Sequence, residues 1–380
     1  MKASTIKISS KTIATISFSI FIALFFVSSL EIIYNSIDTK LIIYQIRTIA
    51  ILLFFIASLK HLKPTKYIII FLLAVMPVIL LSENSFTLQA ATGVFIAWVL
   101  YKGNNINALY IASLILFVLC CSIVLLVLLN LTESKIALNL ETSDMQFTVT
   151  SKNYWGMWHP NIISSLITSC SLIFYFFEKK KLYICSLMLL LVVATETLSR
   201  TYLVIPLLTL PLLLSRSTTQ RYLSLIKASY LTLALTSLFI SLVLISPNFL
   251  SSITPHQIYY IIDSLLSYRL SIFNNAINEL SVIEYFFGSF GNYKEVDSFF
   301  INLIVNHGIF IFMIFFLLVT YGLLKKQQSL KTVSCIAVFL LVGNFEDISG
   351  SSSLPYLIFC ISIFFVMGQY GGKKNDIRQS

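Results

Sequence analysis

Charge is scarce in this chain. Asp, Glu, Lys and Arg make up 11% of its 380 residues, where a soluble domain carries roughly 25%. Hydrophobic residues reach 57% and the mean hydropathy is +0.89. A water-exposed globule is excluded, because too little polar surface exists to cover that much apolar material. Disorder is excluded by the same figures. With 12 glycines and 8 prolines, collagen-like and low-complexity chains are excluded too. Cysteine is sparse. Cys120, Cys121, Cys170, Cys185, Cys335 and Cys360 all sit in apolar runs, with no CxxC or Cys/His spacing. They read as small buried hydrophobes, which excludes a disulfide framework or a structural zinc. The net charge of +10 has no basic groove behind it. Its cations fall in short clusters between apolar runs, so no nucleic-acid partner is expected.

What the chain has is long apolar runs. A transmembrane helix needs roughly 17–25 apolar residues. Runs of that kind lie at 12–30, 41–59, 67–82, 86–101, 106–131, 161–177, 182–198, 201–214, 222–246, 299–323, 332–344 and 354–368. The expected fold is therefore all-α, a polytopic integral membrane helical bundle of about 12 transmembrane helices in a single domain, 1–380. The first run follows Lys2, Lys7 and Lys11, as in a signal peptide. It is long for one and no small-x-small cleavage site follows, so it reads as a retained first span.

Charge sets the sides. With the N-terminus inside, alternation puts the clusters Lys60/Lys63/Lys66, Lys179/Lys180/Lys181, Arg216/Arg221/Lys227, Lys325/Lys326/Lys331 and Lys373/Lys374/Arg378 inside as well, together with Lys102. Of the acids, only Glu178 and Asp376 fall on that side. The positive-inside rule is then obeyed at every cytoplasmic loop, and both termini are expected in the cytoplasm. The inner loops are short. Two outer segments are long, 132–160 and 247–298, which points to work on the extracytoplasmic face.

The second outer loop predicts an amphipathic helix on the membrane surface. Thr254 reads as its N-cap, Pro255 as its first position and Gln257 as the capping-box partner. Ile262, Leu265, Leu266, Leu270, Phe273, Ile277 and Leu280 form the apolar stripe. Asp263, Ser267, Ser271, Asn274, Asn275 and Asn278 fill the other side. Arg269 falls at the stripe's edge.

Ionisable residues at membrane depth cost about 2.5–3.5 kcal/mol on insertion scales, so they point to function. Glu196 and Arg200, four apart at the outer end of the seventh span, are expected on one helix face. The bland alternative is a self-neutralising pair. Arg269 is followed by Gly288 and Gly291, whose backbone could approach the same anion as its guanidinium. The alternative is an arginine that snorkels to headgroups beside a plain loop turn. Trp158, His159 and Asn161 stand where the first outer loop enters the sixth span. Trp155 and Trp158 suit an interfacial belt or stacking on a sugar ring. Asp297 opens the tenth span, where the helix dipole alone would favour an acid, and His307 lies ten residues further in. Arg47 sits about 10 Å inside the second span.

Several of these pieces, in this order, resemble the O-antigen polymerase and O-antigen ligase family of bacterial polysaccharide assembly (the Wzy-like polymerases). They are His159-Pro160-Asn161, Ser199-Arg200, Arg269 with Gly288 and Gly291 about twenty residues on, and Asp297-Ser298-Phe299-Phe300 running to His307-Gly308-Ile309. The resemblance covers roughly 150–325. It implies an inverting, metal-independent membrane glycosyltransferase of the bacterial plasma membrane. The enzyme would join lipid-linked repeat units carried on undecaprenyl diphosphate, at the outer face. Arg200, Arg269, His159, Glu196, Asp297 and His307 would be the catalytic set. Arg47, Asn161, Gly288, Gly291 and Trp158 would bind substrate. No cofactor is implied. Beyond substrate and membrane lipid, its partners would be chain-length regulator and flippase proteins. Ligases of the family tend to carry a His-Asn pair where this chain has Asp297-Ser298, which favours a polymerase over a ligase. A lipid-linked oligosaccharide flippase or other transporter is the rival from a different class. Such proteins often show repeated halves, and no repeat is visible here.

Overall fold

The computed structural model describes residues 9–59, 85–103, 105–129, 131, 135–136, 152–153, 155–157, 161–197, 200–209, 221–245, 255–265, 269–289, 298–324, 329–344 and 360–363. These are almost entirely helical. Among them, five helices are long and apolar enough to cross a bilayer: Ser10–Ser28, Ile37–Ser58, Ile106–Leu128, Leu223–Leu244 and Phe299–Leu324. This is the architecture of a helical membrane protein. Shorter apolar helices occur at Thr92–Lys102, Asn161–Phe176 and Leu330–Gly343. The expected span 67–82 lies outside the described residues, and of 354–368 only residues 360–363 are described, as helix.

The chain divides into two compact units. The first contains α1 (Ser10–Ser28), α2 (Glu31–Tyr34), α3 (Ile37–Leu59), the second half of α4 (Ser85–Lys102), α5 (Ile106–Leu128), α6 (Asn161–Phe176), α7 (Lys180–Glu196) and α8 (Arg200–Thr209). The Ser9 hydroxyl caps α1, accepting from the Thr12 N–H at 3.1 Å. On α3, Ile43, Ala50, Phe54 and Ala57 are buried while Leu41, Ile42, Ile46, Ile49, Leu52, Leu53 and Ile56 are exposed. That is one face on protein and one on lipid. The Phe54 ring lies 5.3 Å from that of Phe18 on α1. On α5 every fourth residue is buried, Ala108, Ala112, Leu116, Cys120 and Val124. Its small residues allow close approach to α1 and α6. There Phe117 meets Phe174 edge-on at 5.5 Å.

The described residues of the segment expected as the first outer loop belong to this unit. Strand β1 (Lys135–Ile136) pairs antiparallel with β2 (Lys152–Asn153). Met157 then bridges to Leu30. Trp155 and Gly156 both take positive φ, 51° and 69°, and Trp155 is fully buried. Trp155 is thus a core residue, not a member of an interfacial belt and not a free stacking surface.

The second unit holds α9 (Leu223–Ile245), α10 (His256–Leu265), α11 (Arg269–Asn278), α12 (Val282–Phe287), α13 (Phe299–Leu324) and α14 (Leu330–Gly343). α9 packs along α14, and α13 lies against α9, α11 and α12. The expected tenth span is not a continuous helix. α13 breaks at Gly308, where φ is 83° and ψ 163°. All residues of its first segment, Phe299–His307, are buried, and an edge-on cluster of Phe299, Phe300, Phe315 and Phe339 fills the space around it. Its second segment turns Phe310, Ile314, Leu317, Tyr321 and Leu324 outward, as lipid-facing residues do.

The segment expected as the second outer loop also differs from expectation. One amphipathic helix is replaced by α10, α11 and α12. On α11 the expected stripe residues Leu270, Phe273 and Ile277 are buried. On α10 Asp263, expected on the polar face, is 1% exposed, while Ile258 and Ile261, outside the expected stripe, are exposed. A short helix with outward apolar residues suits the headgroup region. α12 begins with a capping box between Ser281 and Glu284.

Candidate functional site

In the first unit, packing has absorbed one expected site residue. The Arg47 guanidinium lies 5.5 Å from the ring centroids of Phe21 and Phe25 and 5.3 Å from that of Tyr44. Its Nη1 donates to the Ser28 hydroxyl at 3.5 Å. Three aromatic faces and a hydroxyl account for the charge at that depth, so Arg47 belongs to the α1–α3 contact.

The single helix assumed for Glu196 and Arg200 is interrupted, and the Arg200 side chain lies outside the described residues. α7 ends at Glu196, with Thr197 as its C-cap, and α8 begins at Arg200. Two residues on two helices cannot share a face through four-residue spacing, which requires one continuous helix. Glu196 is exposed. Asn161 opens α6 and is half-buried. Trp158 and His159, just before it, lie outside the described residues, as do Gly291 and Asp297 in the other unit.

In the second unit, Arg269 is the first residue of α11 and is half-buried. The turn it starts is held from α10. The Asp263 carboxylate accepts from the Leu270 N–H at 2.9 Å, from the Ser271 N–H at 3.3 Å and from the Ser271 hydroxyl. Burial, followed by the nearby Asp263 charge, raises the Tyr259 phenol above its usual range, and the Ser271 hydroxyl offsets part of that rise. Sequence reasoning missed Asp263. Its polar neighbours on the helical wheel pointed it to water, and only the tertiary fold turns it inward.

Gly288 has a different use from the one expected. Its φ is 90° and its ψ 163°, a combination reserved for glycine. A Cβ there would lie 2.4 Å from the Asn306 carbonyl oxygen and 2.7 Å from the His307 Cα. Gly308 is the counterpart, with φ 83° and ψ 163° and a Cβ position 2.2 Å from the Phe286 carbonyl oxygen. Each glycine thus lets its backbone press against the residues just before the other. The Gly288 N–H donates to the Glu284 carbonyl at 2.7 Å and the Ser289 N–H to the Val305 carbonyl at 2.9 Å. Those donors are taken within the fold and are not presented to an anion. The signal for the break was in the sequence, a glycine inside an apolar run at His307-Gly308.

His307 is buried on the last turn before that break, as expected. Asn306 beside it accepts from the Ser289 hydroxyl at 3.3 Å. α11, which carries Arg269, packs against α13, which carries His307. Among the described residues no cluster of His, Cys, Asp or Glu could hold a metal ion. Compared with family models, with curated proteins and with solved structures, the chain matches none.

Proposed function

We propose that this protein is a glycan polymerase of the bacterial plasma membrane. It would join undecaprenyl-diphosphate-linked repeat units of O-antigen or capsule type on the extracytoplasmic face. In this reading it has twelve spans with both ends in the cytoplasm. An acceptor hydroxyl attacks the anomeric carbon of the donor glycan, the bond from that carbon to the diphosphate oxygen breaks, and the hydroxyl proton passes to a base. His159, Glu196, Asp297 and His307 remain the candidates for that base. The leaving diphosphate needs positive charge held in place, and a rigid guanidinium fork supplies it.

The observation that carries the reading is Arg269. It is a half-buried arginine at the first position of α11, where the positive end of the helix dipole disfavours a cation. The Asp263 carboxylate already meets the helix end, and the guanidinium brings a bidentate fork matched to diphosphate oxygens. The order of motifs from His159 to Gly308 supports the same class. A ligase of the same family is the near alternative. The break in α13 favours a second reading, transport of the lipid-linked oligosaccharide, since transporters place substrate at interrupted helices.

A strain lacking the protein tests these readings by the glycans it makes. Loss of polymerase leaves single repeat units on the outer face, and loss of a ligase leaves long polymer on the lipid carrier. Loss of a flippase leaves no units outside at all. Arg269→Lys and Arg269→Ala should reach normal membrane levels and both give single units. Long chains from Arg269→Lys would show that a point charge suffices there, as it does for a headgroup contact.

A further inference from the structure

We propose that Asp263 is a positioning residue for Arg269: from α10 its carboxylate fixes the first turn of α11 and balances the charge that turn carries. The proposal rests on the reading of Arg269 as the group that stabilises the leaving diphosphate.

Four observations lead to it. Asp263 is 1% exposed, and an aspartate is almost never buried so completely unless it is partnered. Its partners are the N–H groups of Leu270 and Ser271 and the Ser271 hydroxyl, all within two residues of Arg269. The residue before Arg269 is Tyr268, not one of the short polar types that cap a helix from their own position. The start of α11 therefore takes its cap from a neighbouring helix. Finally, Leu270, Phe273 and Ile277 are buried and α11 packs on α9 and α13. With the turn fixed by Asp263 and the helix body by its apolar face, the Arg269 side chain leaves from one defined point. Its cationic start is also opposed by a carboxylate, which offsets the unfavourable dipole term.

An ordinary cap would behave differently. Asparagine caps a helix about as well as aspartate, so Asp263→Asn would leave a mere cap intact while removing the charge. A displacement of about 1 Å at a reacting group can cost about 100-fold in rate. The full-length protein, returned to a strain lacking it, should therefore reach normal membrane levels as Asp263→Asn and make roughly 10- to 100-fold less long polymer. Asp263→Glu, one methylene longer, should not restore it. In a Ser271→Ala background, Asp263→Asn should cause no further loss than it causes alone, because both changes act on the same contact. Wild-type chain length from Asp263→Asn, or losses that multiply in the double variant, would overturn the proposal. Ser271→Ala alone removes only one of the three donors and should give a smaller loss. Hydrogen exchange on the purified protein supplies a readout free of activity. The Leu270 and Ser271 amides should exchange faster in Asp263→Ala, which removes the acceptor, and unchanged protection would refute the fixed turn. Long polymer from Arg269→Ala would instead defeat the polymerase reading and leave the exchange result to decide on Asp263.

Discussion

A glycine at positive φ is replaceable only if its Cβ has room and its backbone can relax. Gly308 meets neither condition. Its conformation costs other residues about 1–3 kcal/mol, and its Cβ would lie 2.2 Å from a backbone carbonyl oxygen. Gly308→Ala and Gly288→Ala should each lower the melting point of the detergent-solubilised protein and its yield from membranes. Gly343 is the control, since a Cβ there would meet the Phe299 and Phe300 side chains at ordinary contact distances, 3.4 and 3.6 Å, and no backbone. In α14 the change to alanine regains roughly 0.5–1 kcal/mol of helix propensity, so Gly343→Ala should melt no lower than wild type. Arg47 raises the opposite question, whether a charged residue at depth is chemical at all. Its three rings and the Ser28 hydroxyl make Arg47→Met a stability change of about 0.5–2 kcal/mol. Glycan chain length should be unaffected. Short chains from a normally inserted Arg47→Met would return Arg47 to the substrate site.

Among elements, hydropathy was informative and continuity was not. The first, second, fifth and ninth runs appear as α1, α3, α5 and α9 with ends displaced by a few residues. Burial of an apolar stripe is set by side-chain type, so Leu270, Phe273 and Ile277 could be read from spacing alone. The breaks could not. α7 stops at Glu196 and α8 starts at Arg200, although the residues between them are not helix breakers, so the two stand on different helices. α13 breaks at Gly308 because α12 presses on it, a tertiary cause with no periodicity. Asp263 is inward for the same kind of reason, as the cap of a helix other than its own. Trp155 was misplaced because an indole suits an interface and a core equally well. Of the candidate site, Arg269 and His307 were legible as costly residues near the membrane. The carboxylate that caps the Arg269 turn, and the backbone each glycine presses against, were visible only once helices were packed.

At the scale of the whole molecule, the charge distribution makes the strongest demand. A translocated lysine cluster is opposed during insertion, and loop lysines and arginines set orientation more than acids do. In this chain the two long segments expected outside contain few cations, Lys135 and Lys152 in the first and Arg269 and Lys294 in the second. The short inner loops and the ends hold the clusters. Moving the register by one span would export Lys179, Lys180 and Lys181 along with Lys325, Lys326 and Lys331. It would also carry Arg269 and the Asp263-capped turn into the cytoplasm, away from any glycan on the outer face. Topology and function therefore stand or fall together. Alkaline phosphatase fused after Lys152 and after Lys294 should be active, and fused after Lys181 and after Lys326 it should be silent. Green fluorescent protein at the same four positions should give the reverse. An active phosphatase after Lys181 would break the alternation between the sixth and seventh spans. A silent one after Lys294 would place Arg269 inside and remove the polymerase reading, whatever the glycan phenotype.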